Sequence, residues 1–104
     1  MRNSEIEIRL KGLKAVASPV RLHILDDLKT PLANFPPQVD GDLVSDGVCA
    51  DFIRDRLGVA AATASRHLTL LSDSGFLIAT RKKGWTFYRR DEAALAAFVA
   101  KLDL

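Results

Sequence analysis

The sequence has very little cysteine, and its apolar residues never gather into a long run. One cysteine among 104 residues cannot form an internal disulfide, which argues against a disulfide-stabilised extracellular scaffold. No apolar run approaches the length that spans a bilayer, and the first residues lack the apolar centre of a signal peptide. We therefore expect a cytoplasmic protein that does not associate with membranes.

Residues suited to catalysis are equally scarce. The one thiol and the two histidines fall on separate predicted elements, so no nucleophile stands beside a base. The content of 48% hydrophobic and 27% charged residues is typical of a globular domain, and the length allows one domain with a modest core. We predict a single domain over residues 1–104 that is not an enzyme, has no catalytic residue and needs no cofactor.

The net charge is only +2, but the basic residues are unevenly distributed. Residues 63–90 contain six arginines and lysines against one aspartate, a net charge of +5, while the rest of the chain is negative by three. Positive charge concentrated in one segment is typical of a protein that binds a polyanion such as nucleic acid.

Residues 57–77 predict two helices separated by a tight glycine turn. Gly58 interrupts one helical pattern, and the next pattern begins within two residues and ends at Gly75, which suits a helix C-cap. The apolar side of the second helix consists of Ala61, Ala64, Leu68 and Leu71. Its other sides carry short polar and cationic residues, as a helix in a DNA major groove requires. The candidate DNA-contacting residues of this helix are Ala62, Thr63, Ser65, Arg66, His67 and Thr69.

A basic β-hairpin is predicted directly after the second helix. Residues 77–80 and 85–89 are rich in β-branched and aromatic residues, as strands are, and residues 81–84 form a basic turn between them. A helix-turn-helix followed by a basic hairpin is the layout of a winged helix. The candidate DNA-contacting residues of the hairpin are Arg81, Lys82, Lys83 and Trp85.

Each end of the chain predicts a helix with a stripe of apolar residues. The first helix covers residues 5–17, and Asp91 is a suitable N-cap for the last helix. Ser18 and Pro19 predict the cap and first position of another helix, which reaches about Leu28. A core as small as this one does not need both terminal stripes, so part of their apolar surface is left for another contact.

Residues 30–47 predict a long irregular connection. They hold three of the four prolines and two of the six glycines, and such connections are usually functional or disordered. Phe35, Leu43 and Val44 predict some packing against the domain. The aspartates in and after this segment lack the spacing and the terminal glutamate of an EF-hand, so we predict a solvated acidic loop.

Three segments together resemble the ArsR family of bacterial repressors. Residues 13–25 read LKAVASPVRLHIL and are similar to the family's LKALASPxRLxIL opening. Residues 57–71 are similar to its recognition segment LGVSQSTVSxHLxxL, and residues 75–88 to its wing, GLVxxRREGRWVYY. Each segment is weak evidence alone, but the combination is specific and covers about residues 9–102.

The resemblance implies a mainly α protein with a small β-hairpin, the winged helix-turn-helix fold. It further implies a repressor that binds double-stranded DNA at a two-fold symmetric operator and is released by an inducer, here an unknown small molecule. Members of the family pair as homodimers through their first and last helices. The implied interface residues are Ile6, Leu10, Leu13, Leu95, Phe98, Val99 and Leu102.

The chain departs from the family pattern at the start of the recognition helix. Ala60 and Ala61 stand where the family commonly has serine and glutamine, so an N-cap and a polar base reader are missing. Sequence discrimination must then depend more on Thr63, Ser65, Arg66 and DNA shape. This departure favours an alternative function, a winged-helix protein-interaction module without operator binding, which the +5 segment opposes.

A second departure concerns metal sensing. Cys49 and Asp51 fall where metal-sensing members carry a Cys-x-Cys motif, and a single thiolate makes a poor site for soft metals. We predict no metal ion and keep Cys49 and Asp51 as weak candidates only.

Overall fold

The computed structural model describes residues 3–104, so the first two residues of the predicted domain lie outside the described residues. Five helices longer than one turn, a one-turn helix and three strands make up this range. In chain order they are α1 (Asn3–Val16), α2 (Pro19–Lys29), α3 (Pro31–Asn34), β1 (Val48–Cys49), α4 (Ala50–Leu57), α5 (Ala61–Asp73), β2 (Leu77–Lys82), β3 (Trp85–Arg90) and α6 (Glu92–Leu102). Helices α4 and α5 form the helix-turn-helix, and β2 and β3 form the wing. The predicted winged helix-turn-helix fold is confirmed.

Helix ends lie where the sequence places its capping residues. Ser18 accepts a hydrogen bond of 3.3 Å from a backbone N–H in the first turn of α2, and Pro19 opens that helix. Asp91 caps α6 in the same way at 2.9 Å. Gly58 and Gly75 follow α4 and α5 with φ angles of +69° and +84°, which glycine tolerates because it has no Cβ.

The sheet is larger than the predicted hairpin. It has three antiparallel strands in the order β1-β3-β2, because Val48 pairs with Tyr88 and Cys49 with Phe87. Strand β1 was not predicted, because a two-residue strand is too short to show an alternating pattern.

The turn of the wing is also shorter than predicted. Arg81 and Lys82 belong to β2, so only Lys83 and Gly84 form the turn. Both turn residues have positive φ angles, +52° and +81°, as in the type I′ turns that match the twist of a two-stranded ribbon. The predicted four-residue basic turn was therefore wrong by two residues.

The core lies between the helices and the inner face of the sheet. Its fully buried side chains come from α2, α4, α5 and two strands: Ile24, Ile53, Leu68, Leu71, Val48 and Phe87. The predicted apolar side of α5 is confirmed at Ala64, Leu68 and Leu71. Ala61 is exposed instead, because it is the first residue of the helix and lies beyond the core. Among residues 3–104, no helix is both long and apolar enough to cross a membrane.

The connection at 30–47 is more ordered than the sequence predicts. Its first residues form α3, and Phe35 and Leu43 are buried as expected, whereas Val44 is exposed. Gln38 organises the rest of the segment: its amide donates to the Gly47 carbonyl at 2.9 Å and accepts from the Cys49 N–H at 2.7 Å. These bonds anchor the end of the loop to β1.

The acidic part of this loop contains a tight turn. The Asp42 carboxylate accepts hydrogen bonds from the N–H groups of Ser45 and Val44 at 2.7 and 3.0 Å. The Ser45 backbone bond and then the Ser45 hydroxyl lower the pKa of Asp42. The carboxylate is thus held in its charged form by the turn it stabilises.

Candidate nucleic-acid interface

The outer face of α5 is exposed, small and polar. Ala62, Ser65, Arg66 and Thr69 are exposed, and Thr63 is half-buried. Within residues 3–104, no hydrogen bond or ion pair engages the Arg66 guanidinium. Ala60, at the N-cap position of α5, provides no side-chain cap, as its sequence position indicates. The helix therefore presents short side chains and one unengaged cation to solvent.

His67 lies at the edge of this face in contact with a second arginine. Its Nδ1 lies 2.9 Å from Nη1 of Arg21, whose Nε donates to the Ala15 carbonyl at 2.6 Å. Burial lowers the pKa of His67, and the charges of Arg21 and Arg66 lower it further. Because arginine only donates, Nδ1 accepts and the neutral ring carries its proton on Nε2.

Arg21 therefore joins three helices, a role that the sequence analysis did not assign to it. Its second terminal nitrogen donates to the Lys14 carbonyl at 3.1 Å. The guanidinium thus binds two carbonyls near the end of α1 while it orients the imidazole of His67 on α5. Arg21 lies in the segment at residues 13–25 that resembles the ArsR opening. Its place in that motif was the signal in the sequence, but the motif gave no structural role for the arginine.

Two lysines at the tip of the wing have partners in the acidic loop. Lys82 Nζ lies 3.3 Å from Asp46 Oδ2, and Lys83 Nζ lies 3.7 Å from Asp40 Oδ1. A backbone hydrogen bond from Asp42 lowers the pKa of Asp46, and the bond from Lys82 lowers it further. Both lysine side chains are at least half exposed, so the pairs remain open to exchange with other anions.

The other basic residues of segment 63–90 fall into two groups. Arg90 is a structural residue: it donates to a carbonyl of α2 at 2.9 Å and pairs with Glu92 at 2.9 Å. Arg66, Arg81 and Arg89 are exposed and form no ion pair within residues 3–104. Half of the six basic residues counted in the sequence are therefore already neutralised by the fold.

The remaining hairpin candidate, Trp85, begins β3 opposite Lys82. Its side chain is 45% exposed and lines a cavity together with Phe52 and Phe87. The weak metal candidates lie beside the same cavity. Cys49 is 7% exposed and Asp51 is exposed, and within residues 3–104 no cluster of three histidine, cysteine or acidic side chains is assembled.

The predicted interface residues of the terminal helices differ in exposure. Ile6, Leu10 and Leu13 of α1 are exposed, and Val99 of α6 is 65% exposed. Apolar side chains are therefore left exposed on both terminal helices, three on α1 and one on α6.

Phe98 packs mainly within its own chain. Its ring centroid lies 5.1 Å from that of Phe76, and its ring lies so close to Gly12 that a Cβ there would overlap it. Leu95 and Phe98 pack against the core, and Leu102 is half-buried. Helix α6 is further joined to α1 by a hydrogen bond from the Arg9 guanidinium to the Leu102 carbonyl. Glycine lowers helix stability in the middle of α1, but at position 12 it is required because α6 approaches too closely for a Cβ.

Solved structures of bacterial regulators share this fold. NolR from Sinorhizobium fredii superposes with a TM-score of 0.65 at 21% identity, covering 96% of this chain and 86% of that one. A possible transcriptional regulatory protein from Mycobacterium bovis gives 0.65 at 24% identity, covering 99% and 96%. A predicted DNA-binding transcriptional regulator from E. coli gives 0.63 at 26% identity, covering 96% and 92%.

No family model matches the chain. A curated relative does: the uncharacterized HTH-type transcriptional regulator YbzH of Bacillus subtilis is 40% identical over 86 residues, which are 83% of this chain and 86% of that protein. This relative is named as a transcriptional regulator. With its helix-turn-helix, its wing and this degree of identity, the chain belongs to the HTH-type transcriptional regulators.

Proposed function

We propose that this protein is a homodimeric, sequence-specific DNA-binding repressor of the ArsR type. The observation that carries the proposal is the exposed polar face of α5, with an unengaged Arg66 at its centre, beside a basic wing. The kinship with HTH-type regulators supports a nucleic-acid role for that face.

The two parts of the interface have different roles in this proposal. Helix α5 enters the major groove, where Thr63, Ser65 and Arg66 reach base edges. The wing follows the phosphate backbone, with Arg81 as an unpaired cation and the two lysines as cations that must first leave their aspartates. His67 contributes its Nε2–H to a phosphate.

The apolar surface of α1 and α6 is the proposed dimer interface. A two-fold axis there sets two α5 helices about 34 Å apart, one turn of DNA, so the operator is two-fold symmetric. Repression ends when an inducer, for which we propose a small molecule, shifts the dimer to a form that binds DNA less well.

The function is tested by selecting bound fragments from random DNA and measuring their affinity by fluorescence anisotropy. We expect an enriched two-fold symmetric sequence, bound far more tightly than unrelated DNA of equal length. Enrichment of no sequence, with equal affinity for all fragments, would contradict sequence-specific binding.

The dimer is tested by sedimentation of Val99→Asp. Val99 is 65% exposed, so the aspartate leaves the folded monomer intact but places a charge in the interface. Lys101→Gln, also on α6 but outside the proposed interface, lowers the net charge by the same one unit and controls for that change. A wild-type protein that sediments as a monomer at micromolar concentration would rule out the homodimer.

A second function is favoured by the ion pairs of the wing. Because the acidic loop neutralises Lys82 and Lys83, the wing offers less charge to DNA than its sequence indicates. A winged-helix protein-interaction module would show this pattern together with the uncapped start of α5. Absence of DNA binding even at low salt, where nonspecific affinity is strongest, would favour that function.

A further inference from the structure

A cavity of about 250 Å³ lies between the acidic loop, α4 and β3, and no role proposed above uses it. Its volume is just below the ~300 Å³ at which ligand pockets usually begin, so it suits a small molecule. Large apolar side chains form most of its wall and include Val39, which is 98% exposed. The apolar and aromatic lining residues are Pro37, Val39, Phe52, Trp85 and Phe87.

The charged groups of the cavity are all of one sign. Asp40 and Asp51 line it, and none of the described lining residues is a lysine, arginine or histidine. Each carboxylate has one long ion pair, with a residue that does not line the cavity: Lys83 lies 3.7 Å from Asp40, and Arg54 lies 3.6 Å from Asp51. Exposed pairs of this length are weak and exchange readily.

We propose that this cavity binds a small organic cation that carries an apolar or aromatic group. An indole is the strongest cation–π partner among side chains, so Trp85 stabilises the cationic centre while Asp40 compensates its charge. Phe52, which is half-buried, contacts the apolar part. Metal ions lack enough oxygen ligands on such apolar walls, and organic anions are repelled by both carboxylates.

Occupancy of the cavity changes the wing, a consequence that rests on the proposed DNA-binding function. A cation beside Asp40 replaces Lys83 as its partner, and the released ammonium can then pair with a DNA phosphate. Ligand and DNA therefore bind with positive coupling, and each raises the affinity for the other. This ligand acts in the opposite direction to the inducer proposed above and is distinct from it.

The site is tested without DNA by tryptophan fluorescence. Trp85 is the one tryptophan of the sequence, so its emission reports on the cavity directly. The probe is benzyltrimethylammonium, with benzyl alcohol as the neutral control and benzoate as the anionic control. We expect a saturable change with the cation, weaker binding of the alcohol and no saturable change with benzoate. An equal response to benzoate, or no saturation by the cation, would overturn the site.

Variants assign the binding to the carboxylates. The double variant D40N/D51N should weaken cation binding at least about threefold, the loss expected for partly exposed charges. D55N removes a carboxylate that lies on α4 with Asp51 but outside the cavity. The affinity of this variant for the cation should therefore equal that of the wild type. Wild-type affinity in D40N/D51N, with circular dichroism showing an unchanged fold, would refute the proposal.

The coupling is tested separately by anisotropy on selected DNA with and without the probe. We expect tighter DNA binding in its presence for the wild type and no change for D40N/D51N. Unchanged wild-type affinity would refute the coupling. If the protein binds no DNA at all, the proposed function fails, while the fluorescence titration still decides whether the cavity takes a cation.

Discussion

Helix α5 and the wing both carry basic side chains, but they differ in how much of that positive charge the fold leaves unpaired. On α5, Arg66 has no ion-pair partner among residues 3–104. At the tip of the wing, Lys82 and Lys83 each lie within 4 Å of an aspartate of the loop at 30–47. The difference shows that a count of basic residues overestimates the charge that a folded surface presents.

The same comparison separates two kinds of recognition. The buried side of α5 is packed into the core, and most of its polar side chains are exposed without intramolecular ion pairs among residues 3–104. In the proposed DNA complex, Lys82 and Lys83 of the wing instead exchange intramolecular partners for phosphates, which reduces the net gain of each contact. We therefore expect α5 to dominate discrimination between DNA sequences and the wing to dominate salt dependence.

The largest expected effect is on the packing of α5 into the core. Leu68→Ala removes a fully buried side chain and should lower the free energy of unfolding by about 2–5 kcal/mol. Leu70→Ala, on the partly exposed side of the same helix, should cost about 1 kcal/mol or less. Urea unfolding measures both. Equal losses would mean that the buried and outer faces of α5 are wrongly assigned.

Arg66→Ala should have the next largest effect, now on DNA discrimination. Loss of one specific base contact reduces the preference for the selected sequence by about 1–3 kcal/mol. Lys29→Ala removes the same charge from α2 and should leave the preference unchanged. Competition binding with selected and unrelated DNA provides the measurement. A variant that weakens both DNAs equally would show that Arg66 contacts only phosphates.

The wing prediction concerns the slope of log affinity against log salt. Arg81→Ala should flatten that slope by about 0.9, because an unpaired cation that neutralises one phosphate is lost. Lys83→Ala should flatten it less, because Asp40 competes for this lysine. Anisotropy over a range of salt concentrations compares them. Identical slopes in the wild type and Arg81→Ala would exclude the wing from the phosphate contacts.

Removing the competing aspartates should act in the opposite direction. In the double variant D40N/D46N the wing lysines lose their intramolecular partners, so the salt slope should steepen by up to about 0.9 per lysine. D51N/D55N removes two exposed aspartates of α4 and corrects for the same change in net charge. A slope no steeper than that of D51N/D55N would indicate that the ion pairs persist in the DNA complex.

The smallest predicted effect is the pH dependence contributed by His67. Its pKa in the folded protein lies below the ordinary value of 6.5, so above that pH it is neutral in both states and contributes nothing. As the pH falls through 6.5, the unfolded chain takes up a proton that the folded chain resists, and stability falls. Between about pH 7.5 and 5.5 the wild type should therefore lose more unfolding free energy than His67→Asn. Equal losses would show that burial and the charge of Arg21 do not lower the pKa of His67 in the folded protein.

Local sequence was sufficient for most of the fold. Ser18 and Pro19 at the start of α2, the glycines after α4 and α5, and Asp91 before α6 each act on backbone groups within one turn. Their effects therefore follow from neighbouring residues alone. The apolar periodicity of α5 likewise predicted its buried side, because a helix repeats its faces at a fixed spacing. The outward residues of the candidate interface followed from the same periodicity.

Features that depend on distant parts of the chain were not predictable in this way. Strand β1 exists only because β3 pairs with it, and the lysine–aspartate pairs join residues 36 or more positions apart. Phe98 was assigned to a dimer surface, but much of its ring is occupied by Gly12 and Phe76 of its own chain. Periodicity identifies which side of a helix is apolar, whereas only three-dimensional packing decides which neighbour covers it. Three-dimensional packing likewise decided how many cations of the wing remain unpaired, and it assembled the aromatic cavity beside the wing.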